Sequence, residues 1–288
     1  MSKARLRAKL LARGRPVSPP LLAPLVVAAA AEIEALAVAD VVTDPTRLAR
    51  ALTTMQAAIG VDAIVTTAAD GLAAETAGAT ADLSTYPPTL AAPAGGVPGA
   101  TAALRTPPSR SVAAIEATRR LVATTDDVVV GAALDGPAAV AAQLGDDAAD
   151  PDVIERAGRV VLDVAGAFLE AGAHLLVVVE SAPLASAARE AWRSAVNPIG
   201  NVARFRQAAP VVVVADPDDA DIVPGGTAVC LPGGKRGGRG VALPSAAAAW
   251  AGADVAGVPI VTTVGAVADG FAAVRSGIDG LRQRVGSS

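Results

Sequence analysis

Short apolar runs rich in valine alternate with alanine-rich stretches of helical periodicity along most of this chain. The runs cover residues 62–67, 127–133, 175–179 and 210–215, with weaker ones at 227–231 and 258–263. They are continuous rather than alternating, which is typical of parallel strands buried on both faces. Strands that alternate with helices in this way indicate right-handed β-α-β units and a parallel sheet.

The number of strands distinguishes between two parallel architectures. A proline-rich first strand near 18–27 and a short one at 241–244 bring the total to about eight. Eight strands in 288 residues favour a closed barrel rather than an open doubly wound sheet. The predicted fold is therefore a single α/β domain, a (β/α)8 TIM barrel that covers residues 1–288. We also expect a basic N-terminal helix over 1–15 and a long Pro/Gly-rich loop over 86–108.

Helix boundaries are marked by aspartate, proline and glycine. Asp44 and Pro45 provide an N-cap and a first helical residue, and Gly60 provides an end. Asp150 and Pro151 repeat the pattern for a second long helix. A third helix is predicted to begin at Ser111.

Composition excludes several classes of protein. A net charge of −4 argues against a nucleic-acid-binding face. One cysteine excludes an internal disulfide framework and favours a reducing compartment. The apolar stretch 21–31 is too short to span a bilayer, and the prolines between 16 and 24 argue against a signal peptide. We therefore expect a cytoplasmic protein that binds neither nucleic acid nor membrane.

Four consecutive predicted strands end near a carboxylate: Asp70, Asp135, Glu180 and Asp216. In a barrel, reacting groups come from the C-terminal ends of strands, so these four are the candidate catalytic residues. Any one aspartate is also a common helix cap or turn residue, which is the structural alternative. That alternative is weakest for Glu180, because glutamate is a poor N-cap and here directly follows an apolar strand.

Other reactive side chains are few. His174 precedes the fourth strand, so it is expected at the opposite, stability face of the barrel. Cys230 falls near the end of the sixth strand, and a buried hydrophobic role is favoured. These two residues cannot share a zinc site, although a metal held by carboxylates alone stays open. The glycine-rich loop 233–240 carries Lys235 and Arg236, which are candidate anion contacts.

Several motifs occur in an order that resembles the uroporphyrinogen decarboxylase superfamily, which includes corrinoid-linked methyltransferases. The motifs lie at 5–16, 59–64, 69–78, 131–137 and 170–181. The resemblance spans about residues 4–220 and is nearer the methyltransferase branch. It implies a barrel that performs decarboxylation or methyl transfer on a small molecule, with a corrinoid as a candidate cofactor. Asp70 would correspond to the aspartate that the decarboxylases use after their second strand.

Two departures limit what the resemblance implies. The decarboxylases carry an arginine-rich first strand that binds acidic substituents, and the matching stretch 18–25 has no arginine. The methyltransferases bind zinc through His-x-Cys on the fifth strand, whereas here that strand ends in Val-Ala-Asp at Asp216. No zinc is therefore expected.

The sequence leaves three functional hypotheses. The first is a divergent enzyme of decarboxylase or methyltransferase type. It would have a small-molecule substrate, with a corrinoid protein or a second copy of the chain as candidate partners. The second is a non-catalytic barrel that binds a ligand or partner through the same mouth. The third is a phosphate-handling barrel that uses Lys235 and Arg236. If the protein is an enzyme, we expect at least two of the four carboxylates to converge in a concave pocket and to have perturbed pKa values.

Overall fold

A computed structural model describes residues 2–13, 19–97, 109–233, 240–255 and 257–286. Its strands are β1 (Leu21–Leu22), β2 (Ala63–Val65), β3 (Thr80–Asp82), β4 (Thr89–Ala91), β5 (Val129–Asp135), β6 (Leu175–Glu180), β7 (Ala209–Val214), β8 (Ala228–Pro232), β9 (Gly240–Leu243) and β10 (Ile260–Thr263). Its α-helices are α1 (Lys3–Ala12), α2 (Val27–Ile33), α3 (Val38–Val42), α4 (Pro45–Ile59), α5 (Leu72–Thr76), α6 (Ser109–Thr124), α7 (Pro137–Gln143), α8 (Pro151–Glu170), α9 (Arg189–Phe205) and α10 (Phe271–Gly286). Three 3₁₀ turns lie at Ser186–Ala188, Pro217–Ile222 and Ala247–Gly252.

Eight strands form one sheet in the order β1-β10-β9-β8-β7-β6-β5-β2, and every pairing in it is parallel. Asp62 bridges the two ends of this order. Its backbone N–H donates to the carbonyl of Leu22 at 3.1 Å, and its carboxylate accepts from the Leu22 N–H at 3.0 Å. The sheet is therefore a nearly closed (β/α)8 barrel, which confirms the predicted fold class and the eight predicted strands.

The barrel strands are buried on both faces. Every residue of β5, β6 and β7 is buried, and their side chains are mainly valine, leucine and alanine. Helices cover the outside, while α1 lies against β5 and β7 at the N-terminal end of the barrel. Burial on both sides explains why these strands are continuous apolar runs in the sequence.

The predicted helix signals are confirmed with small shifts. The Asp44 carboxylate accepts from the N–H groups of Thr46 and Arg47, and Gly60 ends α4 with a left-handed φ of 67°. Asp150 caps α8 through the N–H of Asp152. The third helix begins at Ser109 rather than Ser111. The N-terminal helix covers Lys3–Ala12 instead of 1–15, and residues 14–18 lie outside the described part.

One element contradicts the loop predicted over 86–108. Strands β3 and β4 form an antiparallel hairpin after α5, so residues 89–91 are a strand. The end residues of each strand are exposed and only the central residue is half-buried. Such a strand has no apolar alternation to reveal it in the sequence. Residues 98–108 of the predicted loop lie outside the described part.

No helix within the described ranges combines the length and apolar character that a membrane crossing requires.

Candidate functional site

Three of the four predicted carboxylates lie side by side at the barrel mouth. Asp70, Asp135 and Glu180 follow or end the neighbouring strands β2, β5 and β6, and they are 7%, 4% and 2% exposed. Backbone contacts connect them. The N–H of Gly71, the residue after Asp70, donates to Asp135, and Gly136, the residue after Asp135, lies against the Glu180 carboxylate. They therefore form one continuous band, which we call the acidic band.

Asp70 is neutralised by Arg110 from α6. The Arg110 guanidinium contacts Asp70 Oδ2 at 2.6 Å and Glu75 Oε2 at 2.8 Å, and all three side chains are less than a tenth exposed. Burial raises the pKa of Glu75, while the charge of Arg110 opposes that shift. The Tyr86 hydroxyl lies in the same buried region. Burial, and to a smaller extent the charge of Asp70, raise the pKa of Tyr86 well above its usual value. This end of the acidic band is a buried ion-pair triad.

Asp135 occupies the middle of the acidic band. Its carboxylate accepts from the Gly71 N–H at 2.8 Å and from the Gln143 side-chain amide at 2.9 Å. Burial raises the pKa of Asp135 to about 6, and the Gly71 hydrogen bond works against that rise. Gly71 can present its N–H in this position because its φ of 92° suits glycine.

Glu180 is held by three donors. Its Oε1 accepts from the Trp192 indole at 2.6 Å and from the Ala138 N–H at 3.1 Å, and its Oε2 accepts from the Ala139 N–H at 2.9 Å. Burial nevertheless raises the pKa of Glu180 to about 7, against the effect of these hydrogen bonds. A side chain at Gly136 would collide with Glu180 Oε1, so glycine there is what allows this close approach.

A cavity of about 410 Å³ opens beside Glu180. It lies between α7 and the segment 181–185 that follows β6, and its remaining walls are mostly alanine. The lining residues are Ala138, Ala139, Ala142, Gln143, Ala148, Ala149, Glu180, Ser181, Ala182, Pro183 and Ala185. Its size falls in the range of small-molecule sites. We call it the α7 cavity.

Gln143 connects the α7 cavity to the acidic band. Its amide nitrogen must face Asp135, because a carboxylate can only accept there. The amide oxygen therefore points elsewhere, and it is buried without a hydrogen-bond partner among the described residues. The α7 cavity is thus lined by Gln143, whose amide is held by Asp135, and by one titratable carboxyl, Glu180.

The Asp70 end has no comparable space. Its cavity, bordered by Asp70, Arg110, Thr66 and Thr67, has a volume of about 10 Å³. That is no larger than one water molecule needs. A substrate cannot enter there. The ion-pair triad therefore supports the acidic band without contacting a substrate.

Asp216, the fourth predicted residue, does not join this band. It is half-buried, and its carboxylate accepts from the N–H of Asp218, which caps the 3₁₀ turn Pro217–Ile222. The buried carboxylate in this region is Asp219, which pairs with Arg189 at 2.7 Å and accepts from the Leu184 N–H at 3.0 Å. The sequence pattern therefore predicts the half-buried Asp216, whereas the fully buried aspartate of this cluster is Asp219.

Four further residues of the site were not predicted: Arg110, Gln143, Trp192 and Asp219. Trp192 had one usable signal, because the chain has only two tryptophans and a buried indole N–H requires an acceptor. The other three residues lie in helices or turns, and their positions in the sequence do not indicate their partners: Arg110, Gln143 and Asp219.

The metal and anion candidates have different outcomes. His174 lies immediately before β6 at the N-terminal end of the barrel, as predicted, and Cys230 is fully buried within β8. Burial raises the pKa of the Cys230 thiol, which disfavours the thiolate that zinc needs. Within the described ranges, no group of three or more His, Cys, Asp or Glu side chains is arranged to hold a metal. Lys235 and Arg236 lie outside the described residues.

Comparison with known proteins supports the fold. No protein-family model matches the chain, and no curated protein matches it significantly. Among solved structures, it is similar to a methyltransferase from Methanosarcina mazei, with a TM-score of 0.66 and 13% sequence identity. The alignment covers 100% of this chain and 99% of that one. At this identity the likeness establishes a shared barrel fold.

Proposed function

We propose that this barrel is an enzyme that binds a small molecule in the α7 cavity and uses Glu180 as its proton donor. One observation carries the proposal: a buried carboxyl with a pKa near 7 lines a cavity of small-molecule size. A general acid or base works best when its pKa lies near the operating pH. Buried carboxyls with raised pKa values are a recurring feature of active sites.

A proton donor is what both reactions suggested by the superfamily resemblance require. In a decarboxylation, the C–C bond breaks, carbon dioxide leaves, and the carbanion takes the proton. In a methyl transfer, a nucleophilic co-substrate forms a bond to the methyl carbon as the bond from that carbon to its heteroatom breaks, and the leaving heteroatom takes the proton. In either case Glu180 would supply the proton from Oε2, which accepts one of its three hydrogen bonds.

The other members of the acidic band would then have positioning roles. Asp135 fixes the orientation of the Gln143 amide at the wall of the α7 cavity. The Asp70–Arg110 pair fixes the loop that presents the Gly71 N–H to Asp135. We expect Asp216 to act as a cap and not in proton transfer.

The cofactors of the superfamily fit this chain poorly. His174 lies just before β6 at the barrel's far end and Cys230 lies within β8, so these two residues do not form a zinc site of the methyltransferase type. A corrinoid ring is larger than the α7 cavity and would not be enclosed by it. We therefore derive no step through either group, and a corrinoid protein stays only a candidate partner.

A second candidate function is ligand binding without chemistry. The Glu180 carboxylate accepts two N–H groups from the first turn of α7, so it also serves as that helix's cap from a neighbouring strand. A residue fully occupied in this way would stabilise the site without transferring a proton. The two functions share the α7 cavity and differ in what Glu180 does.

Ligand binding is tested first, by thermal shift with a panel of small carboxylic acids, methylated amines and thioethers, a corrinoid, porphyrinogen analogues and divalent metals. A ligand at 100 times its Kd should stabilise the protein by about 2.7 kcal/mol. The variant Ala142→Leu places a larger side chain at the exposed wall of the α7 cavity and should abolish that shift. Ala58→Leu, an exposed alanine on α4, is the control. No stabilisation by any compound, or equal stabilisation of both variants, contradicts the proposal.

Chemistry is tested with whichever compound binds. Turnover is followed as carbon dioxide release or as loss of the methyl group, in the wild type and in Glu180→Gln. Removing a general acid should lower kcat by roughly 10²–10⁴-fold while binding persists. Bound ligand without turnover in the wild type would support the non-catalytic function, and unchanged kcat in Glu180→Gln would exclude Glu180 as the donor.

A further inference from the structure

A second pocket lies at the opposite, N-terminal end of the barrel. It has a volume of about 260 Å³ and is lined by Arg5, Gly172, Ala173, His174, Phe205, Arg206 and Gln207. Arg5 comes from α1, Phe205 is the last residue of α9, and the other residues come from the turns that lead into β6 and β7. This position is independent of the acidic band and of the α7 cavity.

His174, which lines this pocket, carries a buried hydrogen-bond donor. The residue is only 5% exposed, and its Nδ1 accepts from the N–H of Val130 at 3.3 Å. A ring nitrogen that accepts a hydrogen bond carries no proton, so the proton of the neutral ring is on Nε2. Burial, and to a smaller extent the positive charge of Arg5, lower the pKa of His174 to about 4, so the ring is neutral at pH 7.

The His174 Nε2–H has no hydrogen-bond partner among the described residues. Buried polar groups in native proteins nearly always have one, so a donor in this state indicates a group that binds there. Because Nε2 donates, the bound group must present an acceptor atom.

The charges around the pocket favour an acceptor that is negative. Arg5 is exposed, and within the described part its guanidinium makes no hydrogen bond or ion pair. Arg206 contributes a second guanidinium, which Glu170 holds at 3.2 Å. A carboxylate placed between Arg5 and His174 would receive a charge-assisted hydrogen bond from each.

The rim of the pocket is apolar on one side. Phe205 is 83% exposed, which is unusual for a large aromatic side chain, and it stands at the end of α9 beside the pocket. An exposed aromatic ring next to paired donors is a typical arrangement for a ligand with an apolar body and a polar end.

The geometry points to a binding site for a small organic carboxylate, with the carboxylate between His174 Nε2 and Arg5 and the apolar part on Phe205. The chain has a single histidine, so the ring of His174 gives one unambiguous set of NMR signals. The protein is labelled with ¹⁵N-histidine and titrated with benzoate. Benzamide, which has the same shape without the charge, and inorganic phosphate are titrated in parallel.

Benzoate should shift the His174 Nε2 signal saturably, and benzamide should not. Arg5→Gln should raise the Kd for benzoate at least about tenfold, equivalent to about 1.4 kcal/mol, and Phe205→Ala should also weaken binding. Both positions are exposed, so neither change threatens folding. Arg13→Gln removes the same charge from the end of the same helix, outside the pocket, and is the control.

Three results would overturn the site. One is a His174 signal that does not respond, or responds without saturating. Another is an equal loss of affinity in Arg5→Gln and Arg13→Gln, which would mean a general charge effect. The last is phosphate binding as tightly as benzoate with no effect of Phe205→Ala, which would show that no organic carboxylate is recognised.

Discussion

The two sides of the barrel mouth use carboxylates differently, although the sequence presents them in the same way. Glu180 and Asp216 each follow a buried valine-rich strand, and β6 and β7 are neighbours. Asp216 bonds an N–H two residues further along its own turn and stays half-buried. Glu180 bonds α7, which follows the adjacent strand β5, and the indole of Trp192, and it is 2% exposed.

The difference lies in the distance along the chain between a carboxylate and its donors. A local cap leaves the carboxylate near water, where its charge is well solvated. A carboxylate held by donors from other elements is drawn into the protein, and burial then raises its pKa. Substitutions at Arg110, Glu180, Gly136 and Asp216 distinguish a coupled, buried acidic band from a locally bonded Asp216.

The largest effect is expected at Arg110, the cation of the acidic band. Arg110→Met leaves Asp70 and Glu75 buried without their partner, and breaking such a pair typically costs about 3–5 kcal/mol. Urea unfolding measures the loss. Arg119→Met, on the same helix and in an exposed pair with Glu116, should change stability by less than about 1 kcal/mol. Equal effects at both positions would mean that the triad contributes nothing special.

The second effect is a pH dependence that belongs to Glu180. Its pKa is raised from 4.5 to about 7 in the folded state, so between these values the folded protein holds a proton that the unfolded chain has lost. The contribution of Glu180 to the free energy of unfolding is therefore at its maximum below about pH 4.5. It falls as pH rises towards 7, by about 3 kcal/mol in total.

Other groups overlap this range, so the measurement must be a difference. Burial raises the pKa of Asp135 to about 6, which acts in the same direction. Burial lowers the pKa of His174 to about 4, so its contribution rises with pH between about 4 and 6.5 and acts in the opposite direction. Subtracting the unfolding free energy of Glu180→Gln from that of the wild type at each pH isolates Glu180. Parallel curves for the two proteins would show that Glu180 does not titrate in this range.

The third effect tests the close approach of Gly136 to Glu180. Gly136→Ala introduces a Cβ against Glu180 Oε1, and overpacking of this kind costs about 1–3 kcal/mol. In Gly166→Ala, within α8, the new Cβ meets no atom within 4 Å, and helix propensity should stabilise the protein by about 0.5–1 kcal/mol. Urea unfolding of both variants should give opposite signs. A stabilised Gly136→Ala would mean that Glu180 moves away freely.

The barrel itself could be predicted because its strands leave a signature that depends on burial alone. Residues of β5, β6 and β7 are buried on both faces, so they are mainly valine, leucine and alanine and form continuous apolar runs. The hairpin β3–β4 lacks that signature, since its outer residues face solvent. Continuous burial is the property that identifies the barrel strands in the sequence, and the hairpin strands do not have it.

The candidate site could be predicted only in part. Asp70, Asp135 and Glu180 stand at strand ends, and the barrel topology brings those ends together. Their partners cannot be read from the sequence, because Arg110 reaches Asp70 from α6 and Trp192 reaches Glu180 from α9. The position after a predicted strand indicates both Glu180 and Asp216. Only the folded structure distinguishes Asp216, which is a local cap, from Glu180, which is a buried acid.

The smallest effect is expected at Asp216, and it completes the contrast with Glu180. Asp216→Ala removes one capping hydrogen bond and should cost about 1 kcal/mol of unfolding free energy. Because Asp216 does not contact the acidic band, the pH dependence assigned to Glu180 and the binding of any ligand in the α7 cavity should both stay unchanged. Asp216→Asn keeps an oxygen acceptor for the Asp218 N–H and should restore most of the stability, since asparagine is as good a cap. If Asp216→Ala instead alters ligand binding or turnover while Asp216→Asn does not restore it, the carboxylate itself acts at the mouth, as the sequence predicts for all four residues.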